Sequence, residues 1–169
     1  YFIGDGNFES GGLRFKDARA EVLNFYQGLF KQEFNINSKI GKMKDKNCYI
    51  LKVNSKEIRD LFYLMLPRIL SEIGKSKKEV VNAFIKGFFD AEGHVSKRRP
   101  CVSAVQKDER ILRYLQLFLL RFGIRSTIKF EIGRKKHNIL MITERDVENY
   151  LQIGFTAKDK QIRLLESVK

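Results

Sequence analysis

The sequence predicts an α+β fold built from two copies of one small unit, because the same order of helix and strand patterns occurs twice. Residues 34–40 align with residues 122–128 at an offset of 88, and residues 54–58 align with residues 143–147 at an offset of 89. Two matches at nearly the same offset and in the same order indicate an internal duplication, and the period is too long for the common solenoid repeats. The expected halves are residues 1–74 and residues 75–169, the second of which includes a linker at 75–79.

The spacing of apolar residues distinguishes helices from strands in the first half. Residues 17–34 carry apolar side chains at steps of three and four, which predicts an amphipathic helix. Residues 36–41 and 48–53 alternate between apolar and polar side chains, which is typical of strands. A further helix is expected over 56–66, because an Asn-Ser pair that can cap it comes before and a proline follows.

The same order returns in the second half, behind an apolar helix over residues 80–91 that ends at Glu92 and Gly93. The elements expected after it are a helix over 107–122, strands over 124–132 and 139–142, and a helix that Thr143 caps. Each half is therefore expected to combine helices with antiparallel strands.

The composition indicates a globular and strongly basic protein. The 33 Lys and Arg residues exceed the 20 Asp and Glu residues, which gives a formal charge of +13, and 43 % of the residues are apolar, which argues against disorder. No apolar run approaches the ~18 residues of a membrane span, and the first residues do not resemble a secretory signal. Cys48 and Cys101 have neither the spacing of a zinc site nor that of a disulfide framework. We expect a cytoplasmic protein with no membrane span that binds polyanions, and charge alone does not choose among DNA, RNA and acidic membrane surfaces.

One short acidic motif occurs in both halves. Residues 1–8 align with residues 88–95, so that Asp5 and Glu92 are 87 residues apart, each at the expected end of a helix and followed by glycine. A carboxylate is unfavourable there, because a helix C-terminus already carries partial negative charge. If the two helices packed side by side, the carboxylates would converge, and a hard divalent cation would be their natural counterion. On a basic protein, such a metal suggests phosphodiester hydrolysis.

A plainer interpretation is that each acidic motif is only a turn or a helix cap. That interpretation would suit one copy, since short Gly-Asp-Gly segments are common in turns. The repetition of the motif at the offset of the surrounding fold favours the metal site.

The residues Ile85-Lys-Gly-Phe-Phe-Asp-Ala-Glu-Gly93 resemble the LAGLIDADG signature, and Tyr1-Phe-Ile-Gly-Asp-Gly6 resembles its second half. The chain is similar over essentially all of its 169 residues to the single-chain, double-motif LAGLIDADG homing endonucleases, especially the small intron-encoded archaeal type. The first motif lacks the opening turns of its helix. Either the natural chain starts earlier than Tyr1 or the interface between the two halves is weakened, and we expect the earlier start.

The resemblance implies two pseudo-twofold-related αββαββα units that form a DNA-binding β-saddle over the major groove. It implies a monomer that cuts both strands of a long, asymmetric duplex, uses Mg²⁺ (or Mn²⁺) and leaves short 3′ overhangs. By position, Asp5 and Glu92 would be the metal-binding acids, and Gly4 and Ala91 would add backbone carbonyls to the metal shell.

The family also places a Gln or Lys at the end of the second strand of each half, near the water that attacks. Gln106 and Lys16 are the residues that this expectation selects. A further basic residue follows the third helix: Lys158 or Lys160 in the second half, and Lys75, Lys77 or Lys78 in the first. Any one of these lysines can also be an ordinary solvated charge, and His94 is expected in a hairpin rather than in catalysis.

The faces of the strands that point away from the helices should be polar and should contact DNA. The residues expected on these faces are Asn7, Glu9, Arg14, Lys16, Asn37, Lys39, Lys52, Asn54, Ser96, Arg98, Arg99, Ser103, Arg125, Thr127, Lys129 and Glu131. Charges cluster at the hairpin tips 42–46, 97–99 and 134–137, including Arg134, which suits phosphate contacts. For a single residue, a solvated charge and a base contact remain equally open.

Two further functions stay open beside the endonuclease. The same fold could serve as an RNA-binding intron maturase, or as a DNA-binding protein that has lost its activity. Both acids are present, which favours the enzyme, because a pure binding protein has no need of them. The chain shows no intein-like ends, so we expect a free-standing, intron-encoded protein that associates with the nucleoid.

Overall fold

The computed structural model describes residues 1–44, 46–131 and 137–168, and it divides the chain into two compact units, Tyr1–Ile69 and Leu70–Lys169. Each unit combines a four-stranded antiparallel sheet with helices, which confirms the predicted α+β class. The predicted boundary between the halves, after residue 74, stays a prediction. Among the described residues, none of the helices has both the length and the apolar character that crossing a membrane requires.

The first unit begins with a short helix and continues through two hairpins. Its elements are α1 (Phe2–Asp5), β1 (Gly6–Glu9), β2 (Gly12–Asp17), α2 (Ala20–Phe34), β3 (Lys39–Lys42), β4 (Tyr49–Val53), α3 (Lys56–Met65) and a 3₁₀ turn (Leu66–Arg68). The strands lie in the order β1-β2-β4-β3. A further helix, α4 (Ile69–Lys75), starts at the last residue of this unit.

Two predicted starts in this unit are wrong by three residues. The helix expected from Asp17 begins at Ala20, because Asp17 is the last residue of β2 and its carboxylate accepts a hydrogen bond from the backbone N–H of Arg19 at 2.9 Å. The strand expected from Ile36 begins at Lys39. The cap of α3 is confirmed, since Ser55 Oγ accepts a hydrogen bond from the N–H of Ile58 at 3.2 Å.

The second unit repeats this order and adds a helix at its end. Its elements are α5 (Lys78–Glu92), β5 (Gly93–Val95), β6 (Cys101–Gln106), α6 (Glu109–Leu120), β7 (Thr127–Glu131), β8 (His137–Thr143), α7 (Arg145–Tyr150) and α8 (Lys158–Ser167). The strands lie in the order β5-β6-β8-β7, which matches the first unit. The expected Thr143 cap is wrong: Thr143 ends β8, and Glu144 precedes α7 with a φ of 52°.

The duplication extends to individual hydrogen bonds. In the first unit, Gln27 Nε2 on α2 donates to the backbone carbonyl of Ser38, just before β3, at 2.7 Å. In the second unit, Gln116 Nε2 on α6 donates to the carbonyl of Ser126, just before β7, at 2.8 Å. The same side chain therefore fixes the entry to the same strand in both units.

One face of each sheet is buried against helices. In the first sheet, Leu13, Leu51 and Val53 are fully buried, and Phe15 is nearly so. In the second sheet, the fully buried residues are Val102, Ala104, Leu140 and Ile142. Because neighbouring residues of a strand point to opposite faces, the residues between them form the outer face of each sheet.

Candidate functional site

Both acidic motifs have the same backbone geometry. Helix α1 ends at Asp5 and α5 ends at Glu92, and the glycine that follows begins the first strand of its unit. Gly6 has φ −87° and ψ 150°, and Gly93 has φ −79° and ψ 148°, so both are extended. Each acid is therefore held at the junction between a helix and the first strand of a sheet.

The glycines of the two motifs are required by a close approach of the backbone rather than by a left-handed conformation. The N–H of Gly6 donates to the carbonyl of Phe2, and the N–H of Gly93 donates to the carbonyl of Phe89. A Cβ atom at either glycine would collide with that same carbonyl oxygen. The sharp change from helix to strand directly after each acid thus depends on the missing side chain.

In the second unit, α5 and α8 stabilise each other's ends. The fully buried carboxylate of Asp90 accepts hydrogen bonds from the backbone N–H of Thr156 at 2.9 Å and of Ala157 at 3.1 Å, just before α8. In return, the buried ammonium of Lys160 on α8 donates to the carbonyls of Phe89 at 3.0 Å and Asp90 at 2.7 Å. A cation at the C-terminus of α5 offsets the negative end of the helix, where Glu92 also lies.

The two lysines predicted on α8 have different environments. Lys158 is the first residue of the helix and is exposed, whereas Lys160 is buried against the last turn of α5. The structure therefore brings Lys160, rather than Lys158, to the end of the motif helix. The catalytic role expected for Lys158 stays a prediction.

The structure also places the three lysines that were candidates for the basic residue after the third helix of the first half. Lys75 Nζ lies 3.2 Å from a carboxylate oxygen of Glu72, and Lys78 Nζ lies 4.8 Å from the ring centroid of Phe122. Both lysines, and Lys77 between them, belong to the second unit.

In the first unit, Asp17 connects the start of α1 to the start of α2. Its carboxylate accepts hydrogen bonds from Tyr1 Oη at 2.7 Å and from Arg19 Nε at 2.7 Å. Burial alone would raise the pKa of Asp17, but the hydrogen bonds from Arg19 and Tyr1 outweigh it and hold this pKa below its ordinary value. Burial and the hydrogen bond to Asp17 raise the pKa of Tyr1 well above that of a free tyrosine.

The strand register shows that Lys16 and Gln106 are not equivalent. Asn7 pairs with Arg14 in the first sheet, and its equivalent His94 pairs with Ser103 in the second, which aligns Lys16 with Val105 and Asp17 with Gln106. The selection of Lys16 as the counterpart of Gln106 is therefore wrong in position, and its role in catalysis stays a prediction. Gln106 Oε1 accepts a hydrogen bond from the N–H of Lys107 at 2.7 Å.

The outer face of the first sheet carries most of the side chains that were expected there. These are Asn7, Glu9, Arg14, Lys16, Lys39 and Lys52, with Asn37 and Asn54 next to the strand ends. Three of the predicted residues bind one another: Arg14 Nε lies 3.0 Å from Glu9 Oε2, and Arg14 Nη1 donates to Asn54 Oδ1 at 3.0 Å. The side chain of Arg14 is only 15 % exposed, and its contacts connect β1, β2 and the residue that follows β4.

The second sheet has fewer charges on its outer face. Ser103, Thr127 and Lys129 lie there together with His94, as expected. Ser96, Arg98 and Arg99 lie in the turn between β5 and β6. Arg125 lies before β7, where its Nε is 3.2 Å from Asp146 Oδ2.

Some of the predicted residues lie outside the described part of the chain. These are Arg134 with its neighbours 135 and 136, Asp45 within the tip 42–46, and the side chain of Glu131.

Sequence reasoning missed two sets of residues. It did not place Val105, Ile139 and Met141 on the outer face of the second sheet, although the period-two pattern combined with the register assigns them there. It also gave Asp90 no role, although an acid directly after two phenylalanines in an apolar helix is a signal for a buried hydrogen-bond acceptor.

Among the residues that the structure describes, the acids of the two motifs belong to no larger cluster of metal-binding side chains. Within residues 1–44, 46–131 and 137–168, no group of three or more His, Cys, Asp or Glu side chains could hold a metal ion. Asp5 and Glu92 nevertheless offer the hard oxygen donors that Mg²⁺ prefers, and Mg²⁺ needs only one or two protein carboxylates because it keeps several waters.

The fold and the paired acidic motifs define the class of the protein. The family model of the LAGLIDADG-like domain matches residues 1–64 and 79–154. The chain therefore belongs to the LAGLIDADG family, which confirms the resemblance noted in the sequence.

One of the relatives that match the chain is a homing endonuclease. The chain is 30 % identical over 159 residues to the homing endonuclease I-DmoI of Desulfurococcus mucosus, an alignment that covers 85 % of this chain and 78 % of that protein. A crystal structure of I-DmoI in complex with DNA and Ca matches with a TM-score of 0.69 and 26 % identity, covering 89 % of this chain and 83 % of that one. The double-motif fold is thereby confirmed.

Longer relatives share only a segment with this chain. It is 35 % identical over 181 residues to the glutamine–fructose-6-phosphate aminotransferase of Methanocaldococcus jannaschii, but the match covers 97 % of this chain and only 16 % of that protein. The intron-encoded, free-standing origin expected from the sequence stays a prediction.

Proposed function

We propose that the protein is a site-specific DNA endonuclease of the homing type, which hydrolyses both strands of a long duplex and leaves short 3′ overhangs. The observation that carries this proposal is the identical junction of helix, acid, glycine and strand in both units. Each junction holds a carboxylate next to the first strand of a sheet with a solvent-facing outer surface. Membership in the LAGLIDADG family and similarity to I-DmoI support the same activity.

We propose that Asp5 and Glu92 are the metal-binding acids of this reaction, with the backbone carbonyls of Gly4 and Ala91 as additional oxygen donors. The expected ion is Mg²⁺, with Mn²⁺ as a substitute, since both accept carboxylate oxygens. When bound, the metal would activate water and stabilise the leaving oxygen. Within the protein, Gln106, Lys16 and Lys158 are the proposed polar groups that orient the attacking water or contact the scissile phosphate.

We propose that the outer faces of the sheets contact bases in the major groove and that the hairpin tips contact phosphates. A two-stranded antiparallel ribbon fits the major groove, and the charge of +13 favours attraction to the duplex. The proposed active form is a monomer, because one chain contains both motifs.

The proposal is tested by incubating the protein with a library of long duplexes and Mg²⁺ and sequencing the cut ends. We expect cutting at one asymmetric site, no cutting after chelation of the metal, and loss of cutting in Asp5→Asn and in Glu92→Gln. Asp60→Asn and Glu33→Gln are matched controls, because both acids are exposed and lie on α3 and α2. Intact cutting in either motif variant would contradict the site assignment. Tight RNA binding without cutting of any duplex would instead indicate a maturase.

A further inference from the structure

The shared strand register allows the outer faces of the two sheets to be compared residue by residue. One row of directly paired residues crosses all four strands of each sheet, from β1 to β3 in the first sheet and from β5 to β7 in the second. In the first sheet this row consists of Asn7, Arg14, Lys52 and Lys39. In the second sheet it consists of His94, Ser103, Met141 and Thr127.

A second row lies next to the first on the same face. In the first sheet it consists of Lys16, Ile50 and Gly41. In the second sheet it consists of Val105, Ile139 and Lys129. Four basic positions of the first sheet are thus occupied by serine, threonine, valine and methionine in the second, while a lysine replaces a glycine at one position.

The first sheet carries positive charge that it does not neutralise. Lys39 and Lys52 are directly opposite each other and both are exposed. Like charges at this position destabilise a sheet. Neither of them, nor Lys16, forms an ion pair within the described residues, whereas Arg14 is paired with Glu9. A bound polyanion would offset this repulsion.

The second sheet has an apolar strip at the equivalent place. Val105 and Ile139 are directly paired, and Met141 follows two residues later on the same face. All three side chains are half-buried rather than fully buried, so part of each remains accessible from the outer face. In the major groove, the one apolar group that a base pair presents is the 5-methyl group of thymine.

We infer that the two units recognise their half-sites by different means. The first unit binds through Lys16, Lys39 and Lys52, which contact phosphates and guanine acceptors. The second unit recognises thymine methyl groups through Val105, Ile139 and Met141, and its half-site is accordingly rich in A·T pairs. This inference rests on the proposed function, since it assigns the substrate sequence to the same two faces.

Replacement of thymine by uracil tests the second unit, because uracil lacks only the methyl group. The full chain first selects its duplex from a randomised library in the absence of Mg²⁺, and binding is then measured with uracil in one half of that duplex. We expect a loss in affinity of about fourfold for each contacted methyl, in one half only. Met141→Ala and Ile139→Ala should each reduce this loss, whereas the control Met65→Ala, an exposed methionine at the end of α3, should retain it in full.

The dependence of binding on salt tests the first unit. Each phosphate contact contributes about 0.9 to the slope of log K against log salt concentration, so Lys39→Gln and Lys52→Gln should each flatten that slope by about this amount. Lys31→Gln is the control, because Lys31 lies on α2 and its ammonium donates to Asn35 Oδ1.

The outcomes separate the inference from the proposed function. If uracil weakens binding equally in both halves, or if its effect is undiminished in both Met141→Ala and Ile139→Ala, the inference is wrong while the endonuclease proposal stands. Unchanged salt slopes in both lysine variants would also overturn it. If the unmodified protein enriches no duplex at all, the proposed function fails and the inference fails with it.

Discussion

Lys160 and Asp90 bind each other's helices in a reciprocal arrangement. The ammonium of Lys160 donates to the backbone carbonyl of Asp90 at 2.7 Å, and the carboxylate of Asp90 accepts hydrogen bonds from the two backbone N–H groups that precede the helix of Lys160. The arrangement fixes the last turn of α5, two residues before the acid of the motif.

Replacement of Lys160 by methionine should destabilise the protein. The variant keeps the length of the side chain but leaves the carbonyls of Phe89 and Asp90 without their charged donor, at an expected loss of about 2 kcal/mol in the free energy of unfolding. Urea denaturation of the full chain measures this loss. Lys158→Met, at an exposed position of the same helix, should change stability by no more than about 0.5 kcal/mol. Equal effects of the two variants would contradict the role assigned to Lys160.

Replacement of Asp90 by alanine should also be costly. The buried N–H groups of Thr156 and Ala157 would lose their acceptor, and an unsatisfied buried donor costs about 1–3 kcal/mol. Asp60→Ala, at an exposed position, serves as the comparison in the same denaturation experiment. A loss no larger than that of Asp60→Ala would show that water replaces the carboxylate.

Alanine at the motif glycines should abolish cutting and lower stability together. In Gly6→Ala and Gly93→Ala, the new Cβ would press against the carbonyl of Phe2 or Phe89 and displace the adjacent acid. Gly28→Ala should instead raise the free energy of unfolding by about 1 kcal/mol, because Gly28 lies inside α2 and an added Cβ would meet open space. Thermal unfolding and a cutting assay check both expectations. Full activity in Gly93→Ala would refute the requirement for close approach.

The stabilisation by Asp17 should depend on pH. Because the pKa of Asp17 is lowered in the folded protein, its contribution is present above the unfolded value of about 3.9 and is lost as the pH falls through the lower folded value. The stability advantage of the natural protein over Asp17→Asn should therefore be full near pH 6 and should shrink below about pH 4. Denaturation at a series of pH values measures it. An advantage that stays constant down to pH 2 would contradict the lowered pKa.

The duplication, the order of the elements and the positions of both acids could be predicted from the sequence. The register of the hairpins could not be predicted, because the length of a turn can change without affecting the alternation of apolar and polar residues in either strand. Two residues separate β1 from β2, and five separate β5 from β6. The offset between the halves therefore changes from 87 to 89 within one hairpin, so Gln106 aligns with Asp17, one residue after Lys16.

The last helix was missed for a different reason. Helix α8 has three apolar residues, Ile162, Leu164 and Leu165, and it buries Leu164 together with Lys160, so little apolar spacing was present on which to base a helix prediction. A lysine that stabilises a helix end inside the protein has the same appearance in the sequence as a lysine in water. Only the position of α5 reveals the difference.

The matching hydrogen bonds of Gln27 and Gln116 show that the framework of the unit is the same in both halves, whereas the outer faces of the sheets differ at nearly every position. The two units thus share a structural hydrogen bond while their outer faces carry different side chains. A chain of this kind can acquire a new target by changing one surface at a time, because a substitution on one sheet leaves the other sheet's chemistry untouched. Two units in one chain can therefore carry different outer faces, whereas the two subunits of a symmetric homodimer carry the same one.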